Sequence, residues 1–79
     1  MSGVLVYSAP WCGGCKVVKM ALERAEVQFT EVDITTKEGG AEAKGLGIKS
    51  IPVTYLPNGD SFVGSKPETI KKILEAIGD

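Results

Sequence analysis

The stretch VLVYSAPWCGGCKVVKMALERA occupies residues 4–25. Its first four residues, Val4 to Tyr7, form a short continuous apolar run, the pattern of a strand covered on both faces. The run breaks at Ser8-Ala9-Pro10. From Cys12 onward, Val17, Val18, Ala21, Leu22 and Ala25 fall on a 3.6-residue stripe, with Lys16, Lys19, Glu23 and Arg24 mainly elsewhere, which predicts an amphipathic helix. Cys12 and Cys15 therefore sit where a buried strand hands over to a helix.

The elements beyond this stretch follow from the same patterns. Val27 to Asp33 reads as a second strand, with Val27, Phe29 and Val32 inward. Between residues 35 and 47, Thr36 can cap a short helix with Ala41, Ala43 and Leu46 toward a core. Gly39 and Gly40 weaken it by about 1 kcal/mol each, and Gly45 or Gly47 ends it. Val53 to Leu56 and Asp60 to Val63 flank Pro57-Asn58-Gly59, a hairpin signal. Ile70, Ile73, Leu74 and Ile77 then mark a final helix, with Ser65 or Lys66 as N-cap and Pro67 in its first turn. The order is β-α-β-(α)-β-β-α, an α/β fold with a small mixed sheet and helices packed on it.

Composition removes several classes of function. The chain has 79 residues, 43% of them hydrophobic, which suits one domain over residues 1–79 around one core. Nine Lys and Arg against ten Asp and Glu leave a net charge of −1, with no basic field to hold a nucleic acid. Histidine is absent, which removes Cys-His and Ser-His-Asp catalysis and histidine ligation of a metal or haem. Met1-Ser2-Gly3-Val4 carries no charged n-region or long apolar segment, and no run approaches the ~20 residues that span a bilayer. The expectation is a soluble cytoplasmic protein without nucleic-acid or membrane partners.

The two cysteines carry the chemistry. In Cys12-Gly13-Gly14-Cys15, the first-turn N–H groups and the helix dipole favour a thiolate on Cys12. Cys15 lies one turn along, within reach of the first sulfur. Lowering a thiol pKa from ~8.5 to ~7 raises the thiolate fraction at pH 7 from roughly 3% to roughly 50%. The accompanying loss of nucleophilicity returns about fivefold, so attack gains only about threefold. Leaving ability improves at least as much, and a reversible electron carrier needs both. Three other readings compete. A structural bridge would close too small a ring to remove much unfolded-state entropy. A zinc site needs four ligands and would require a dimeric clip through the Cys pair. Two plain buried cysteines complete the set.

Trp11-Cys12-Gly13-Gly14-Cys15 resembles the thioredoxin active site, Trp-Cys-Gly-Pro-Cys, with Gly14 in place of proline. Ile51-Pro52 resembles the cis-proline of that superfamily. Length and element order are similar to the glutaredoxin branch, above all to the NrdH-type redoxins, and the resemblance runs from Val4 to Leu74. It implies a thioredoxin-like fold, with a four-stranded mixed sheet and helices on both faces. It also implies a dithiol-disulfide oxidoreductase with Cys12 and Cys15 catalytic and Pro10, Trp11, Gly13, Gly14, Ile51 and Pro52 around them. Thioredoxins have a buried Asp six residues before the first Cys as proton acceptor for the second; Val6 occupies that place, so that route is absent.

The same resemblance bears on partners. NrdH-type redoxins carry Trp-Ser-Gly-Phe-Arg-Pro before the last helix, a segment associated with docking to thioredoxin reductase. Here Phe62-Val63-Gly64-Ser65-Lys66-Pro67 keeps an aromatic, the glycine, a cation and the proline in register. Ser65 replaces the second aromatic and Lys66 the arginine, and the two cations are not interchangeable in bidentate contacts. The segment also reads as a turn into a capped helix. Glutaredoxins of this size usually have a Lys three residues before the first Cys and acidic residues opening the last helix. Here those positions read Ala9 and Lys66-Pro67-Glu68. The implied role is a monomeric reducing donor to a protein disulfide, such as that of a ribonucleotide reductase. No cofactor or metal is bound, and electrons come from NADPH through thioredoxin reductase. Glutathione remains the alternative source, because a ligand's backbone can still pair beside Ile51-Pro52.

Overall fold

The computed structural model describes residues 3–78; Met1 and Ser2, on which part of the N-terminal reading rests, lie outside them with Asp79. The elements are β1 (Leu5–Ser8), α1 (Gly13–Arg24), β2 (Thr30–Asp33), α2 (Lys37–Gly45), β3 (Val53–Tyr55), β4 (Ser61–Val63) and α3 (Pro67–Gly78). The four strands form one sheet in the order β2-β1-β3-β4. β1 runs parallel to β2 and antiparallel to β3, which pairs antiparallel with β4.

The continuous apolar run of β1 has a simple cause: both of its faces are covered. Val6 packs with Val18, Leu22 and Ile73 from α1 and α3, joined by Phe29, Phe62, Ile70 and Leu74. Tyr7 points the other way and packs with Ala43 of α2 and Val53, beside Val32, Ile34 and Tyr55. Each fully buried side chain such as Leu22 or Ile73 contributes about 1.5–3 kcal/mol over its exposed state. Helices therefore lie on both faces of the mixed sheet, as expected.

Several details depart from the periodicity. The β2 ladder begins at Thr30, opposite Leu5, rather than at Val27. Val27 and Phe29 instead turn into the α1/α3 core as the chain leaves α1. Val17 lies on the outer side of α1, 48% exposed, beside a groove shared with Pro67, Ile70 and Leu74. Leu46 is likewise exposed, because α2 turns Gly39 and Ala43 inward.

The helix ends agree with their sequence signals. Thr36 Oγ1 accepts the Gly39 N–H at 2.9 Å, and Gly47 (φ +73°) follows the α2 C-cap. The glycine in the first turn of α2 is required by packing: a Cβ on Gly39 would overlap the Asp33 carbonyl. The Lys66 carbonyl accepts the Ile70 N–H at 3.0 Å, which places Lys66 at the N-cap and Pro67 at the first helical position. Among the described residues no helix is long and apolar enough to cross a membrane.

Candidate active site

β1 ends at the buried Ser8, and Ala9, 4% exposed, carries the chain under the site. The Cys12 N–H donates to the Ala9 carbonyl at 3.1 Å, a tight turn that sets Cys12 at the N-cap of α1. Its backbone is extended (φ −91°, ψ 107°), and its Sγ accepts the Cys15 N–H at 3.1 Å. Here a sulfur fills the role that a serine or aspartate oxygen fills at other helix starts. Cys12 and Cys15 are joined in a disulfide with their Cα atoms 5.3 Å apart. Cys15 is fully buried, whereas Cys12 retains 8% exposure. Ala9, Ile34 and Ile51 pack around the pair.

The surface beside Cys12 is open. Trp11 is 73% exposed, and a Cβ on Gly13 would meet nothing within 4 Å. Gly14 is closer to its surroundings: a Cβ there would stand 2.7 Å from Ser65 Oγ and 3.4 Å from Pro52 Cδ. The Ile51–Pro52 peptide bond is cis, and the Pro52 carbonyl accepts the Gly64 N–H at 2.9 Å. The Ile51 N–H and C=O make no hydrogen bond to the described residues. The fold thus gathers Pro10, Trp11, Gly13, Gly14, Ile51 and Pro52 about the disulfide. Of the segment from Phe62 to Pro67, Gly64 and Ser65 border the site and Lys66 and Pro67 are exposed. Phe62 is half-buried against the Val6–Leu22 core, where it serves packing.

A polar chain adjoins this apolar centre. Ser8 Oγ donates to Glu31 Oε2 at 2.6 Å, and Lys19 Nζ donates to the same oxygen at 2.7 Å. These bonds, that from Lys19 foremost, hold the Glu31 carboxyl below its ordinary range. Lys19 lies one turn beyond Cys15, so these bonds tie the middle of α1 to β1 and β2. On the other sheet face, burial and the hydrogen bond to Glu42 Oε1 (2.7 Å) push the Tyr7 hydroxyl above its usual value. The sequence pattern ends the apolar run at Ser8 and sets Lys19 off the apolar stripe, and it shows neither bond. A hydroxyl closing a run buried on both faces is the signal that was available.

A helix opened by one cysteine and stapled to a second one turn later, on a four-stranded mixed sheet and beside a cis-proline, defines a thioredoxin-fold thiol-disulfide oxidoreductase. Comparison with known proteins narrows the class. A sequence profile of the glutaredoxin family matches residues 4–62, and the chain belongs to that family. The SPbeta prophage-derived thioredoxin-like protein YosR of Bacillus subtilis is 34% identical over 73 residues, spanning 86% of this chain and 89% of that one. The chloroplastic thioredoxin M4 of Arabidopsis thaliana is 32% identical over 76 residues, 85% of this chain but only 39% of the relative. The NrdH-redoxin structure from Escherichia coli superposes with a TM-score of 0.71 at 24% identity, over 89% of this chain and 92% of that one; this likeness concerns the fold.

Proposed function

We propose that the protein is a reducing electron donor to a protein disulfide, working in a cytoplasmic compartment and re-reduced by thioredoxin reductase with electrons from NADPH. Cys12, the sulfur with an open edge, attacks the partner's disulfide as a thiolate. A mixed disulfide forms, and Cys15 then attacks Cys12 and releases the reduced partner. The observation that carries the reading is the face around Cys12: an exposed Trp11, a bare Gly13 and no cation from the preceding turn, where Ala9 is packed inward against the cysteines. Such a surface suits a protein disulfide better than a charged tripeptide. The Ile51 backbone, which bonds to none of the described residues, offers hydrogen bonds to an extended segment of the partner. Gly64 to Pro67, beside Gly14 and Pro52, supplies the reductase contact in this reading, and the NrdH likeness makes a ribonucleotide reductase the first target to try.

One observation favours a second reading. The same Ile51 N–H and C=O would hold the backbone of glutathione, and the family match is to glutaredoxins. NADPH consumption on a disulfide substrate distinguishes the two, run with thioredoxin reductase and, separately, with glutathione plus glutathione reductase. Turnover with thioredoxin reductase alone is expected. Turnover with glutathione alone would assign the protein to the glutathione-dependent branch.

A further inference from the structure

Among the described residues two polar side chains are completely buried, Ser8 and Thr54. Thr54 stands opposite Val6 on one side and Phe62 on the other. Directly opposed residues project to the same face, so Thr54 faces the layer between the sheet and α1 and α3, where Val6 and Phe62 pack. Ser8, two residues beyond Val6, shares that face and is satisfied by Glu31. Thr54 Oγ1 has no hydrogen-bond partner among the described residues. Valine has the same shape and no such group, so an unpaired hydroxyl here is a net cost in the oxidised protein.

On that face of the sheet α1 packs against β1, the strand beside Thr54, and α1 carries Cys15. The residues that α1 buries are Cys15, Val18 and Leu22. Val18 packs with Val6, the cross-strand partner of Thr54. One turn earlier, Gly14 lies against Pro52, two residues before Thr54. Cys15 is therefore held between the level of Pro52 and the level of the Val6–Thr54 rung. In the disulfide its sulfur is bonded to Cys12. Reduction frees that sulfur in a place closed to solvent, where a thiolate is costly unless a donor faces it.

We infer that in the reduced protein the Thr54 hydroxyl donates a hydrogen bond to Cys15 Sγ and favours the thiolate. The inference rests on the assignment of Cys15 as the resolving sulfur. In that step the Cys15 thiolate attacks Cys12 Sγ in the mixed disulfide, and the Cys12–Cys15 bond forms. The bond from Cys12 to the partner breaks, and the partner's sulfur leaves with the electron pair and takes up a proton equivalent to the one Cys15 gave up. Thr54 transfers no proton; it lowers the free energy of the attacking anion. Because the hydrogen bond exists only after reduction, it also draws the dithiol-disulfide equilibrium toward the dithiol.

The test titrates the Cys15 thiolate by ultraviolet absorbance in a Cys12→Ser background, with and without Thr54→Val. Loss of the hydroxyl is expected to raise the Cys15 pKa by about one unit, and Thr54→Ser to restore it. With both cysteines present, Thr54→Val is expected to make the disulfide about fivefold harder to reduce in a glutathione buffer, or ~20 mV on the two-electron scale. The oxidised Thr54→Val protein should unfold at no lower a urea concentration than the parent, so misfolding does not confound the result. An unchanged pKa and an unchanged equilibrium overturn the inference. They leave the proposed function standing wherever Cys15→Ser still loses turnover on a protein disulfide. Full turnover by Cys15→Ser would overturn both.

Discussion

The first turns of α1 and α2 are built on the same plan and do opposite work. Each opens with an extended N-cap residue whose side chain accepts the N–H three residues on, Cys12 from Cys15 at 3.1 Å and Thr36 from Gly39 at 2.9 Å. Each carries a glycine pair in or just after that turn. At α2 the glycine lets the helix press against the end of β2, since a Cβ on Gly39 would run into the Asp33 carbonyl. At α1 the first glycine does the reverse, for Gly13 faces open space beside Cys12, while Gly14 packs against Ser65 and Pro52. An oxygen cap closed against backbone is a joint. A sulfur cap left open is a reaction centre. The cap geometry is common to both turns; the element at the cap and the space in front of it separate them.

The largest effect separating the two turns is on activity. Cys12→Ser keeps a side-chain cap on α1, so the protein should fold with near-parental stability while losing essentially all disulfide reduction in the NADPH-coupled assay. Residual turnover near the parental level would remove Cys12 from the chemistry.

Next in size, alanine at the two glycines should change stability with opposite signs. Gly39→Ala is expected to lose about 3 kcal/mol or more, because the obstacle is backbone that cannot yield. Gly13→Ala is expected to gain about 0.5–1 kcal/mol, since it relieves a helical glycine in open space. Urea unfolding of the oxidised proteins reads both, and equal shifts would dissolve the contrast. Thr36→Ala should cost about 1 kcal/mol, the usual value of an oxygen cap, with turnover unchanged.

The smallest effect concerns the link from α1 to the strands. Glu31 has a folded pKa lowered from 4.5 by its bonds from Lys19 and Ser8. Its contribution is therefore present above the unfolded value and disappears as pH falls through the lower folded one. Glu31→Gln should unfold at lower urea than the parent at pH 7, and the gap should close in acid below both values. A gap of the same size at both pH values would show that the carboxylate charge plays no part.

Most of this architecture is legible in the sequence. The change of period at Ser8-Ala9-Pro10, the Cys12/Cys15 spacing, Asn58-Gly59 and the Ile70–Ile77 stripe each express a local rule, and each lies where the rule puts it. Thr36 was readable as a cap for the same reason. Gly39 was read as a weakness in the helix, because propensity cannot see that the Asp33 carbonyl lies behind it. The stripes put Val17 and Leu46 inward and the fold leaves them exposed, since a periodic stripe reports hydrophobicity and not which flank of it a neighbouring helix will cover. The pairing of Ser8 with Glu31 and the isolation of Thr54 are cross-strand facts. They depend on register, which appears only once β1 is set against β2 and β3. Phe62 shows the same dependence in a motif: its position matches a docking segment, and β4 also sets it half-buried against the core.

The most direct test of a reactive sulfur cap is the pKa of Cys12 in the reduced protein, followed by the pH dependence of its alkylation by iodoacetamide. A sulfur at the first turn of α1, accepting the Cys15 N–H, should titrate near ~7 or below. A midpoint at or above the ~8.5 of a free thiol would contradict the account, because Cys12 would then gain nothing from the helix it opens.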